Sequence, residues 1–116
     1  PGAAQNNLQH QKDSLRQMIE HSEGIDKLRS YNRLYYLYMS EIADDRKMDT
    51  LLTVFDQAEA EAIRQGNTKM QGMVYGNLII SHINRNEYEQ IIQKAPAYLD
   101  FYIKHEQWRL YYQIHM

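Results

Sequence analysis

Three observations predict an all-α array of antiparallel helix pairs, five to six helices in all. Apolar residues return at spacings of three and four through nearly the whole chain, the period of a helix with one face inward. Short polar or glycine-containing breaks, at Gly24, residues 44–46, Gly66 and residues 84–86, punctuate those stretches. The chain also matches itself when slid by 40 residues: Tyr35 falls on Tyr75, Tyr38 on Leu78, Met48 on Tyr88, Leu51 on Ile91, Leu52 on Ile92 and Ile63 on Ile103. Such a period marks a solenoid in which each helix pair buries its neighbour's face.

Residues 1–7 are polar and terminal, and are expected to be disordered; residues 8–116 form one helical-repeat domain. A first helix runs from Leu8 to about His21, with Leu15, Met18 and Ile19 on a narrow stripe, and Gly24 closes it. Asp26 caps a second helix that reaches about Ala43 and is apolar on more than one side, through Leu28, Tyr31, Leu34, Tyr35, Leu37, Tyr38 and Ile42. Asp44-Asp45-Arg46 reverses the chain, with its acids at the positive end of the third helix. That helix, Lys47 to Gln65, turns Met48, Leu51, Leu52, Phe55, Ala58, Ala62 and Ile63 inward and ends at Gly66.

Thr68 with Gln71, and Asn86 with Glu89, have capping-box spacing and start the fourth and fifth helices. In the fourth, from Lys69 to about Ile83, Gly72 and Gly76 lie one turn apart. A glycine costs about 1 kcal/mol relative to alanine inside a helix, so two on one stripe predict a bulky ring packed against them, with the second helix's tyrosines as candidates. His82, in line with Tyr75, Leu78 and Ile79, reads as a hydrogen-bonded packing residue. The fifth helix, from Glu87, buries Tyr88, Ile91, Ile92, Ala95, Leu99 and Tyr102, with a kink or break at Pro96. A sixth begins near Gln107, and its uncapped end, Trp108 to Met116, is expected to continue into a longer protein.

Composition narrows function. A net charge of −2 leaves no basic excess for phosphates or an anionic membrane, so neither nucleic acid nor membrane is an expected partner. Without cysteine there is no disulfide, thiolate metal site or Cys nucleophile. His10, His21, His82, His105 and His115 form no HExxH, no pair at four-residue spacing and no Glu-x-x-His, and phosphate loops and nucleophile elbows are missing too. A non-catalytic segment with no metal and no cofactor is therefore expected. The compositional oddity is ten tyrosines. Most fill gaps between repeat layers, while Tyr36, Tyr98, Tyr102 and Tyr112, with Trp108, beside Arg33 and Arg109, are candidates for an aromatic interaction surface.

Tyr75-Gly76-Asn77-Leu78-Ile79, then His82, the turn Asn84-Arg85-Asn86, Glu87-Tyr88 and Ile91, resemble a degenerate tetratricopeptide repeat. Tyr75, Leu78 and Tyr88 match that pattern. Ile79 stands where a small residue is usual, His82 where tyrosine is usual, Ile91 where alanine is usual, and the period exceeds the usual length of about 34. The wider run Asp13-Ser14-Leu15-Arg16, Glu23-Gly24, Lys27-Leu28, Tyr31-Asn32 and Leu34-Tyr35 is similar to the N-terminal region of bacterial membrane-anchored sensor kinases with tetratricopeptide-like periplasmic parts. That resemblance implies a periplasmic segment of a two-component system that senses a protein, a peptide or a small ligand. The alternative is a cytoplasmic adaptor, or the repeat region of a transcription regulator. Trp108, Leu110, Tyr111 and Ile114 are expected to meet a second copy in a homodimer.

Overall fold

The left-handed residue that closes a helix sets the spacing of this chain. After the third, fourth and fifth helices, Gly66, Asn86 and Glu106 take φ values of 67°, 58° and 55°. In each case the left-handed N–H donates three residues back, to Ile63, Ile83 or Ile103 O, at 3.0, 3.0 and 3.2 Å. The following N–H donates five residues back, to Ala62, His82 or Tyr102 O, at 3.0, 2.9 and 2.8 Å. These are three copies of the Schellman turn. The residue that ends each turn, Asn67, Glu87 or Gln107, also accepts the first bond of the next helix, from Gln71, Ile91 or Tyr111 N–H. Two residues thus stop one helix and start another, and the helices begin at Thr68, Tyr88 and Trp108.

Glycine tolerates this conformation freely and asparagine well, whereas a glutamate pays about 1–2 kcal/mol for it. Glu106→Gly is therefore expected to stabilise the protein by about 1 kcal/mol, less any entropy the glycine adds to the unfolded chain. Urea unfolding would show it as a raised midpoint.

The computed structural model describes residues 2–41 and 45–115, and the side chains of residues 6–41 and 46–114. Its six helices are α1 (Gly2–His21), α2 (Gly24–Met39), α3 (Asp45–Gln65), α4 (Thr68–Asn84), α5 (Tyr88–Lys104) and α6 (Trp108–His115). With 89% of the described residues helical and no strand among them, the fold is all-α with sequential helix-pair contacts. Two compact units divide between Glu61 and Ala62, inside α3.

In the first unit α1 packs along α2. Leu15 and Ile19 from α1, Leu28, Leu34, Tyr35 and Tyr38 from α2, and Met48, Leu51, Val54, Phe55 and Ala58 from α3 are buried. The α1 helix starts six residues before the predicted Leu8. The α2 helix starts at Gly24, whose φ of 62° makes the predicted reversal, and Glu23 rather than Asp26 is its N-cap. Asp26 instead occupies the first turn, where its charge suits the helix dipole. The turn at residues 44–46 gives two of its residues, Asp45 and Arg46, to α3. The expectations for Ile42, Ala43 and Asp44 lie outside the described residues.

In the second unit α4 packs against both α5 and α6, which explains why it is buried nearly all round. The ring on its glycine stripe is Tyr102 of α5, not a tyrosine of the second helix. Tyr102 is fully buried and its hydroxyl donates to Gly72 O at 2.7 Å. A Cβ on Gly72 would collide with Gln107 Oε1 and lie 3.1 Å from Tyr102 Cε1, whereas one on Gly76 would meet Tyr102 Oη at an ordinary 3.5 Å. Gln107 Nε2 also donates to Thr68 O at 2.8 Å, so a displaced Gln107 loses a tie to α4. Gly72→Ala is expected to cost about 1–2 kcal/mol despite alanine's helix propensity, and Gly76→Ala to be near neutral, in paired thermal melts.

Neither expected capping box forms. Asn67 Oδ1 accepts from Met70 N–H at 3.0 Å, one residue before Thr68, because the Schellman turn fixes the cap position. Asn86 takes the left-handed turn position and accepts from the Tyr88 hydroxyl at 3.0 Å instead of capping with Glu89. The α5 helix runs through Pro96 without a break. Pro96 is exposed on the same side as Ile92, which is 72% exposed, so the carbonyl freed by the missing N–H has water within reach.

The 40-residue correspondence survives in burial for the first helix of each pair and fails for the second. Tyr35, Tyr75, Tyr38 and Leu78 are all buried. Met48 and Leu51 are buried, but their counterparts Tyr88 and Ile91 are exposed and half-buried, and Ile63 and Ile103 agree only in being exposed, against the inward place expected for Ile63. Of the α5 residues expected inside, only Tyr102 is buried.

Candidate functional site

An open surface lies along α1 and α2 in the first unit. On one flank of α2 the two helices are pinned. There Lys12, just 3% exposed, pairs with Glu41, which also has Lys47 Nζ at 3.5 Å. The Lys12 ammonium lies 4.3 Å from the Tyr38 ring centroid, and Arg16 donates to the Tyr38 hydroxyl with its guanidinium 5.3 Å from the same ring. Two cations clasp one aromatic ring, which holds α1 in register against the end of α2.

On the other flank the helices leave a groove of about 460 Å³ lined by Gln11, Ser14, Leu15, Met18, Arg33, Tyr36 and Leu37. Met18 and Tyr36 are exposed at its mouth. A second hollow of about 370 Å³ shares Met18 and Arg33 with it and adds His21, Ser22, Asp26, Arg29 and Ser30. The two are neighbours, one with Leu15 and Leu37 in its lining and the other with Arg29. Arg29 and Arg33 are exposed and make no hydrogen bond or ion pair among the described residues. Asp26 is the only carboxylate in the combined lining. The arrangement suits a guest with an apolar side chain and a nearby carboxylate, because a guanidinium fork matches a carboxylate in two bonds.

A third hollow of about 300 Å³, between α1, α2 and α3, is lined by Arg16, Ile19, Glu20, Tyr31, Leu34, Thr50, Thr53, Val54 and Gln57. The Tyr31 hydroxyl beside it is pushed above its ordinary range, first by burial and then by the Glu61 carboxylate, which Lys27 Nζ approaches to 3.7 Å. Its mixed lining offers no cluster of convergent acids or bases.

The aromatic residues singled out from sequence fall into different environments. Tyr36 lines the groove, in the first unit. The others belong to the second. Tyr102 is core, fully buried on Gly72, so it presents no surface; burial, with Tyr98 and Tyr75 nearby, pushes its hydroxyl far above the ordinary tyrosine range. Tyr98 is half-buried and stacks on Tyr75 with centroids 4.3 Å apart and planes 6° from parallel. Phe101 meets the edge of Tyr75 at 5.2 Å. Trp108, Arg109 and Tyr112 are exposed on α6, with Tyr111 edge-on to both rings at 6.0 and 5.3 Å. Leu110 and Ile114, expected at the same dimer face, are half-buried. Sequence reasoning missed Arg29 and the exposure of Met18. The available signal was the narrowness of the α1 stripe, which cannot cover both edges of α2.

Searches against protein-family models, curated proteins and solved structures give no match. The tetratricopeptide and sensor-kinase resemblances therefore rest on the quoted residues. Among the described residues no group of three or more His, Asp and Glu side chains is arranged to hold a metal ion, and no helix is long and apolar enough to cross a membrane.

Proposed function

We propose that this chain is a helical-repeat interaction segment, the periplasmic sensing part of a bacterial two-component sensor kinase, and that the α1–α2 groove receives its partner. The observation that carries the reading is the pairing of an apolar hollow with two guanidiniums that have no acidic partner among the described residues, in a chain whose charge balance is slightly negative. A peptide segment with an apolar side chain next to an acidic residue or a C-terminal carboxylate fits that chemistry. To transmit anything, the partner must bind the two signalling states with different affinity. A second copy meeting Trp108 and Tyr112 on α6 belongs to the same proposal, and light scattering showing a strict monomer at high concentration would remove it.

The sensor assignment is tested by reading the parent gene on both sides of this segment. A signal sequence before Pro1, with a membrane helix and a kinase core after Met116, supports it. A frame without membrane segments sinks it and leaves a cytoplasmic docking scaffold.

A further inference from the structure

We propose that His82 is a proton-operated latch between α4 and α5: neutral, it holds Lys94 of α5, and on protonation it releases Lys94 while keeping Glu87.

The geometry determines which proton is where. His82 is 3% exposed, on the side of α4 that meets α5. Its Nδ1 lies 3.0 Å from Glu87 Oε1, and a carboxylate can only accept, so Nδ1 carries the proton. Its Nε2 lies 3.0 Å from Lys94 Nζ, and an ammonium can only donate, so Nε2 offers its lone pair. The ring is thus neutral, with both nitrogens used. One added proton occupies that lone pair and sets an N–H against an ammonium at 3.0 Å, so acceptance becomes repulsion. Lys94 is half-exposed and can swing into water, whereas the buried ring cannot.

The charged groups that meet His82 are Glu87 from the turn and Lys94 from α5, with Arg85 Nε 3.2 Å from Glu87 Oε2 behind the first. Arg109, the basic side chain of α6, makes no described contact with the ring. The Glu87 carboxyl is held below the ordinary value of 4.5, first by its bond from His82, with burial opposing, and then by Arg85. The change is local: the Lys94–His82 bond near mid-α5 is lost, while the backbone bond from Glu87 N–H to His82 O, at 2.9 Å, keeps the turn closed.

The test is amide NMR of the protein titrated from pH 8 to 5.5, comparing wild type, His82→Gln and Lys94→Met. Glutamine donates and accepts but does not titrate. The expected result is a single titration in the amides around Lys94 in wild type, lost in both variants. An unchanging Lys94 segment in wild type, or one that titrates equally in His82→Gln, would overturn the latch. Should His82→Gln fail to fold, the ring nitrogen shifts of wild-type His82 at pH 8 decide instead. A neutral ring protonated on Nδ1 is expected, and a charged ring or the other tautomer contradicts the proposal.

Discussion

Tyr102→Ala is expected to cost about 3–5 kcal/mol, a large share of what a small helical unit has to spare. Tyr102 is fully buried, its ring covers the Gly72 and Gly76 stripe, and its hydroxyl holds a main-chain carbonyl of α4. Two terms add: the cavity left where glycines cannot fill it, and the lost hydrogen bond. Tyr102→Phe removes only the second and should cost about 1 kcal/mol. Denaturant unfolding of the three proteins reads both steps. Equal losses for Ala and Phe would mean that the hydroxyl, not ring packing, holds α5 to α4.

The second large effect is an asymmetry in the Lys12–Glu41 pair. Glu41→Ala leaves the Lys12 ammonium, 3% exposed, without its carboxylate and is expected to cost about 3 kcal/mol. Lys12→Met keeps an apolar stem of similar length against Tyr38 and leaves Glu41, more accessible, its contact with Lys47, so it should cost less than about 1 kcal/mol. The order Glu41→Ala well below Lys12→Met in unfolding midpoint is the prediction. The reverse order would mean that the Tyr38 ring, rather than Glu41, is what stabilises the buried ammonium.

Much of the architecture was legible in the sequence because it depends on local rules. The 3.6-residue period pointed to five or six helices, of which there are six, Gly24 and Gly66 marked two of the left-handed turns, and Tyr35 and Tyr75, matched by the shift of 40 residues, are both buried. Other features depend on which side of a helix meets its neighbour, and periodicity is silent about that. The α5 helix is apolar on two faces: Tyr98, Phe101 and Tyr102 turn to α4, and the stripe through Tyr88, Ile92 and Ile103 is left exposed. Tyr102, expected inside and also among the surface candidates, is core alone, while Tyr88 and Ile92 were misplaced in the core. Caps were misplaced by one residue because a Schellman turn makes its last residue the next N-cap, which capping-box spacing alone does not reveal. Of the candidate site, Tyr36 and Arg33 were visible as an aromatic beside a cation. The partnership of α1 residues with them is tertiary and had no signal in the sequence.

The most direct test of the proposed docking function puts a photo-crosslinking residue at position 36 of the full-length protein in its own cell, with and without Arg33→Glu. The expected result is a discrete adduct from position 36 that disappears with the charge reversal, while a matching residue at exposed position 56 on α3 gives none. Equal labelling at the two positions, or an adduct at 36 that Arg33→Glu leaves untouched, would contradict a partner held in the α1–α2 groove.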